Sequence, residues 1–196
     1  MVFQFPFPAL KETRLSNTAE NIKAPCRRYL RLGLALAAML LPAAPALAGL
    51  GASVTLASGQ PGTIYPGETT QLQITLSNSG ANAVTGTGFS NSLPGTLPNG
   101  LKVAGSYTYT CANASGSVAT VGTLTANIGS QTITLASATI PARASSTDGT
   151  CAIVIPVTAG SSTGSGTSYD YVIISGAVTG SDGGSPVSNS GVVSQG

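Results

Sequence analysis

The sequence predicts an all-β sandwich or barrel behind an export leader, and three observations carry that reading. Apolar and polar side chains alternate with period two in several short runs. Turn signals separate those runs at regular intervals. Beyond position 48 no apolar stripe of helical period occurs, so helix content there should be near zero.

The runs justify themselves in order. In "TQLQITLS" Leu72, Ile74 and Leu76 fall on one face and Gln71, Gln73 and Thr75 on the other. "QTITLAS" repeats the pattern with Ile133 and Leu135. "CAIVIPV" aligns Cys151, Ile153, Ile155 and Val157, and Pro156, which lacks an N–H, predicts a free edge at that point of the strand. "SYTYTC" aligns Tyr107, Tyr109 and Cys111, and "SYDYVIISG" aligns Tyr169, Tyr171 and Ile173. Pro66-Gly67, Asn78-Ser79-Gly80, Pro98-Asn99-Gly100, Asp148-Gly149 and Ser181-Asp182-Gly183-Gly184 supply the turns.

The leader reads separately. Six of the eight basic residues of the 196-residue chain precede position 32, opposed there by Glu12 and Glu20. After that flank come an apolar run, Leu32–Leu41, then Pro42 and the small-residue site Ala46-Leu47-Ala48. That is the three-part pattern of a secretory signal peptide, with cleavage expected between Ala48 and Gly49. The run is about ten residues, whereas a membrane span needs roughly 20. The expected organisation is a signal peptide over 1–48 and one β-sandwich domain over 49–196. The expected route is general secretion to the medium or cell surface, with no membrane attachment after cleavage.

Cysteine usage agrees. Cys26 lies in the leader, leaving Cys111 and Cys151, and an even pair in an exported chain reads as a disulfide, with two separately buried thiols as the alternative. Both cysteines alternate inward, so a bridge could join two sheets or two neighbouring strands.

Composition excludes several functions. The body keeps only Lys102 and Arg143 as basic residues, too few for a phosphate-binding face, so no nucleic-acid partner is expected. The chain has no His, which removes Ser-His and Cys-His nucleophile systems and imidazole metal ligands. Glu68, Asp148 and Asp182 sit in turn contexts and Asp170 alternates outward, the pattern of solvated charges rather than of a catalytic carboxylate pair. "TGSDGGS" offers one carboxylate where a calcium loop offers several. The expectation is therefore a non-enzymatic protein with no cofactor and no metal. Lys102 reads as a surface lysine rather than a partner in an isopeptide bond, and "NAS" at 113–115 as a chance glycosylation pattern.

The order of elements resembles a known family. "PGTIYPGETTQLQITLSNSGANAVTGTGFSNSLP" is similar to the start of the conserved Ig-like repeats of bacterial surface and secreted proteins, a domain of unknown function. The matching residues are Pro61, Ile64, Pro66-Gly67, Leu72, Ile74, Leu76, Asn78, Val84-Thr85-Gly86, Phe89 and Leu93-Pro94. The similarity runs on through Gly100–Ala104, Ile140–Ala142, Cys151 and the final "GAVTG". Residues 95–99 look inserted relative to that pattern, 143–150 lengthen the loop before Cys151, and Tyr171 stands where the family tends to have Asn. The resemblance implies an Ig-like antiparallel β-sandwich of about seven to nine strands behind the signal-peptide helix. It also implies a structural or adhesive role, with other surface-protein domains or glycans as partners, and a unit that recurs as one repeat of a longer protein. It supplies no functional residues.

Two further roles follow from the residues. A carbohydrate-binding module would use exposed tyrosines, with Tyr169 and Tyr171 as the candidate ligand contacts, although the same residues suit a sandwich core. A self-assembling subunit would accept a neighbour's strand at an unpaired edge near the incomplete last strand.

Overall fold

The computed structural model describes residues 49–116, 122–160 and 167–195. The signal-peptide helix, Ala48 and Cys26 lie outside the described residues. All of the described residues belong to the unit that begins at Pro45.

Twelve strands are present among the described residues. β1 (Leu50–Leu56), β2 (Thr69–Asn78) and β8 (Gly149–Ala159) run side by side, and β4 (Leu101–Val103) and β5 (Thr108–Ala112) both pair with the far side of β8. The second sheet has the order β11 (Ser185–Ser188), β10 (Thr179–Asp182), β3 (Val84–Ser92), β7 (Thr132–Ile140), β6 (Thr123–Thr125). β9 (Tyr171–Ile173) and β12 (Val193–Gln195) form a two-stranded ribbon. All pairings are antiparallel. The count exceeds the seven to nine expected because several strands are only three or four residues long, too short to leave a readable alternation.

The chain changes sheet between β2 and β3, β3 and β4, β5 and β6, and β7 and β8. Each long strand therefore turns its apolar side toward the other sheet, giving one sandwich core. Leu72, Ile74 and Leu76 of β2, Ile133 and Leu135 of β7, and Ile153, Ile155 and Val157 of β8 are all buried in it. Each such Ile or Leu contributes roughly 1.5–3 kcal/mol relative to exposure. The opposite faces carry Gln71, Gln73 and Thr75, which are half-buried beneath neighbouring side chains.

The free edge expected at Pro156 is not there. β8 is the central strand, paired along its length with β2 and on its other side with β4 and β5. Those two short strands share one lane: β4 faces Val157–Ala159 and β5 faces Thr150–Val154. Pro156 falls in the gap between them, where only its carbonyl is used, by the N–H of Ala104 at 2.8 Å. A proline is tolerated in the middle of this sheet because the missing donor coincides with the break between two partners.

The disulfide closes between Cys111 and Cys151. Of the two arrangements left open, neighbouring strands is the one formed: the residues face each other across the β5–β8 pair with Cα atoms 4.0 Å apart. Both are buried, at 2 % and 0 % exposure.

Two asparagines hold loops to this frame. Asn78, fully buried, donates to the carbonyls of Asn82 (2.7 Å) and Pro141 (3.0 Å) and accepts from the N–H of Gly80 (2.8 Å). Asn189, 1 % exposed, donates to the carbonyls of Ile174 (3.0 Å) and Gly191 (2.8 Å) and accepts from the N–H of Val178 (2.9 Å). Every polar hydrogen of each amide is used, so the groups can be buried without penalty.

Candidate binding cavity

At one end of the sandwich a cavity of about 490 Å³ lies among the loop after β1, the ends of β2, β4 and β8, and the segment entering β9. Its apolar lining includes Leu56, Leu72, Leu93, Leu101 and Val157, and Tyr65, Tyr169 and Tyr171 supply aromatic rings. Thr63 and Gln195 add polar groups. Among the described residues, no Asp, Glu, Lys or Arg lines it.

Tyr65 is held by its turn. Pro66 fixes one backbone angle, and Gly67 takes φ 88°, the left-handed conformation that the third position of a type II turn requires. The N–H of Glu68 donates to the Tyr65 carbonyl at 2.9 Å, and the Tyr65 N–H donates to Oε2 of Glu68 at 2.9 Å. The turn is fastened to β8, where the Thr158 hydroxyl donates to the Glu68 carbonyl at 2.6 Å. The side chain of Tyr65 nevertheless remains 69 % exposed.

Tyr169 is held by the 95–100 loop. Its hydroxyl donates to the carbonyl of Asn99 at 2.6 Å. Its ring lies against Gly95, where φ is 82° and a Cβ would sit 2.7 Å from Tyr169 Cε1 and 2.6 Å from the Gly100 Cα. Gln131 straps the loop down, its amide nitrogen donating to the carbonyls of Gly95 (2.9 Å), Leu101 (3.0 Å) and Leu93 (3.4 Å).

The two candidate ligand contacts thus part company. Tyr169 is half-buried at the cavity wall, while Tyr171 is 2 % exposed and belongs to the core. An exposed Tyr169–Tyr171 pair does not exist, because the inward side of the alternation at β9 is occupied by Tyr171 and Ile173. The Tyr171 hydroxyl is buried without a hydrogen-bond partner among the described residues. Burial pushes its phenol well above the ordinary value, and the adjoining Asn91 side chain offsets this only in part. Asn91 itself donates to the Val172 carbonyl at 2.6 Å. Tyr109, half-buried on β5, also has an unpartnered buried hydroxyl among the described residues, and desolvation raises its pKa. Tyr107 lies at the sandwich side, donating to the Leu124 carbonyl at 2.7 Å.

Tyr65 escaped the sequence reading because it stands in a turn, outside every alternating run. The Tyr-Pro-Gly-Glu turn was a signal that could have pointed to it.

The remaining candidates are spread out. Lys102 lies on β4 opposite Thr158, partly buried. Arg143 and Asp148 form an exposed ion pair at 3.6 Å. Asp170 is exposed, and Asp182 ends β10. The Asn113 amide donates to the Ala142 carbonyl (3.1 Å) and accepts from the N–H of Ser115 (3.1 Å), which fixes the turn after β5. Among the described residues no group of three or more His, Cys, Asp or Glu side chains could hold a metal ion.

No protein-family model matches the sequence, and a search of curated proteins finds no match. Among solved structures, the chain is similar to BcpA, the major pilin subunit of Bacillus cereus, at a TM-score of 0.47 and 11 % identity over 74 % of this chain. A variant of that pilin gives a TM-score of 0.44 at 12 % identity, again over 74 % of this chain. The aligned part spans 38 % and 40 % of the two pilin chains, well under half their length.

Proposed function

We propose that this protein is an exported, non-enzymatic sandwich module with a structural or adhesive role at the cell surface or in the medium, of the kind seen in bacterial Ig-like repeats. The observation that carries the proposal is the Cys111–Cys151 bridge, sealed between two strands of the core. Such a crosslink persists in oxidising compartments and is kept reduced in the cytosol. The signal-peptide pattern over 1–48 and the sparsely charged, Ser/Thr-rich body agree with it. Mechanically, the bridge ties the short strand β5 to the central strand β8, so the end of the sheet cannot peel without stretching a covalent loop.

Assembly by strand acceptance has weaker support, since Val193–Gln195 is already paired with β9.

The test is the intact mass of the native protein from culture medium and surface fraction, before and after reduction and alkylation. A chain beginning at Gly49 that takes up two alkyl groups only after reduction supports the proposal. A reduced cytoplasmic protein retaining residues 1–48 overturns it.

A further inference from the structure

We infer that the cavity lined by Tyr65 and Tyr169 is a binding site for a neutral saccharide. This rests on the adhesive reading and gives it a ligand class.

An exposed aromatic ring on a fixed turn is the first ground. Tyr65 presents its ring at 69 % exposure, yet its backbone is bonded at both polar groups and bounded by Pro66 and Gly67. The turn itself is anchored to β8 through Thr158, so the exposed ring projects from a fixed point of the backbone. A ring that must accept a flat apolar partner gains low entropic cost on binding. Tyr169, in the lining of the same cavity, is held through Asn99 and Gly95.

Charge is the second ground. With no acidic or basic side chain in the described lining, a charged ligand would lose water and meet no opposite charge, a heavy cost. The occupant is therefore neutral.

The mixed lining is the third. Tyrosine rings with Leu72 and Val157 match the C–H faces of a sugar ring, while Thr63 and Ser168 offer hydroxyl groups to its hydroxyls. A volume of about 490 Å³ is in the range of small-molecule sites and suits one or two sugar units.

The experiment titrates the purified native protein with uncharged oligosaccharides of glucose, galactose, mannose or N-acetylglucosamine. The chain has no Trp, so its emission comes from its tyrosines, and the part lost in Tyr65→Ala identifies the cavity ring's share. One of these sugars should saturate the protein by the millimolar range. Tyr65→Ala should weaken that binding about tenfold with an unchanged unfolding midpoint, and Tyr65→Phe should stay within about threefold of the native protein. Three results overturn the inference: no neutral sugar binds at millimolar concentration, binding is undiminished in Tyr65→Ala, or Tyr65→Ala alters sedimentation while no sugar binds. The last would make the mouth a contact between copies. Each leaves the mass measurement on export untouched, so the two proposals fail separately.

Discussion

The hydroxyl of Tyr169 donates to the backbone carbonyl of Asn99 at 2.6 Å, across 70 positions of sequence. The segment that looks inserted, residues 95–99, is therefore the segment that seats the cavity's wall. Gly160, at the end of β8, completes the arrangement: a Cβ there would collide with the Pro98 carbonyl, so the loop lies directly on the strand's end.

Gln131 is the strap of that loop, and its removal should loosen the cavity more than the core. Gln131→Leu deletes three hydrogen bonds to Leu93, Gly95 and Leu101 and should cost about 1–3 kcal/mol. Hydrogen exchange should speed up at the Gly100 and Leu101 amides, which bond to Thr96 and Pro94 within the loop, while the Ile153 amide in β8 stays protected. Unchanged exchange at Gly100 would show that the strap is not what anchors the loop.

Replacing Cys111 and Cys151 together by Ala should destabilise the domain by roughly 4 kcal/mol, the chain-entropy value for a loop of 40 residues. Because both sulfurs are buried, reductant without denaturant should reduce the bridge slowly. Urea titrations of the two proteins, with reductant present and absent, check both statements. Rapid reduction of the native protein would contradict the burial.

Asn78 and Asn189 each satisfy loop backbone groups that have no strand partner. Asn78→Ala and Asn189→Ala should each cost about 1–3 kcal/mol, because a buried N–H and partly buried carbonyls lose their side-chain partner. A loss below half a kilocalorie in either variant would mean that water replaces the amide. The readout is the urea midpoint at constant slope.

Alkaline pH should destabilise the protein through its buried phenols. Tyr171 and Tyr109 have folded-state pKa values raised above their ordinary value of 10.0 by burial. Above pH about 10 the unfolded chain loses these protons first, so the native state binds more of them and stability falls as pH rises. Tyr171→Phe should flatten much of that slope. It should also leave stability at neutral pH unchanged or higher, since the hydroxyl it removes has no partner among the described residues. Unfolding free energies at pH 7 and pH 11 decide the matter, and a Tyr171→Phe variant much weaker at pH 7 would point to a hydrogen bond that the hydroxyl makes.

The long strands were legible because alternation is a local property. β2, β7 and β8 each carry Ile or Leu at alternate positions, and the structure buries those residues. Strands as short as β4 and β6 offer a single buried side chain each, which no period can distinguish from chance. Pro156 misled for a related reason: the sequence shows the missing N–H, but not that two partners would meet opposite it. Tyr65 belongs to no run at all.

What the sequence determined by itself is the sandwich's inner face, its turns and the presence of an inward cysteine pair, because each depends on side-chain direction along one strand. Tertiary structure alone decided that Cys111 and Cys151 lie on neighbouring strands, that Tyr171 is core and Tyr169 wall, and that Tyr65 lines the same cavity. Those outcomes depend on which strands become neighbours and which loops meet at one end. Such meetings join residues tens of positions apart, and no local pattern encodes them.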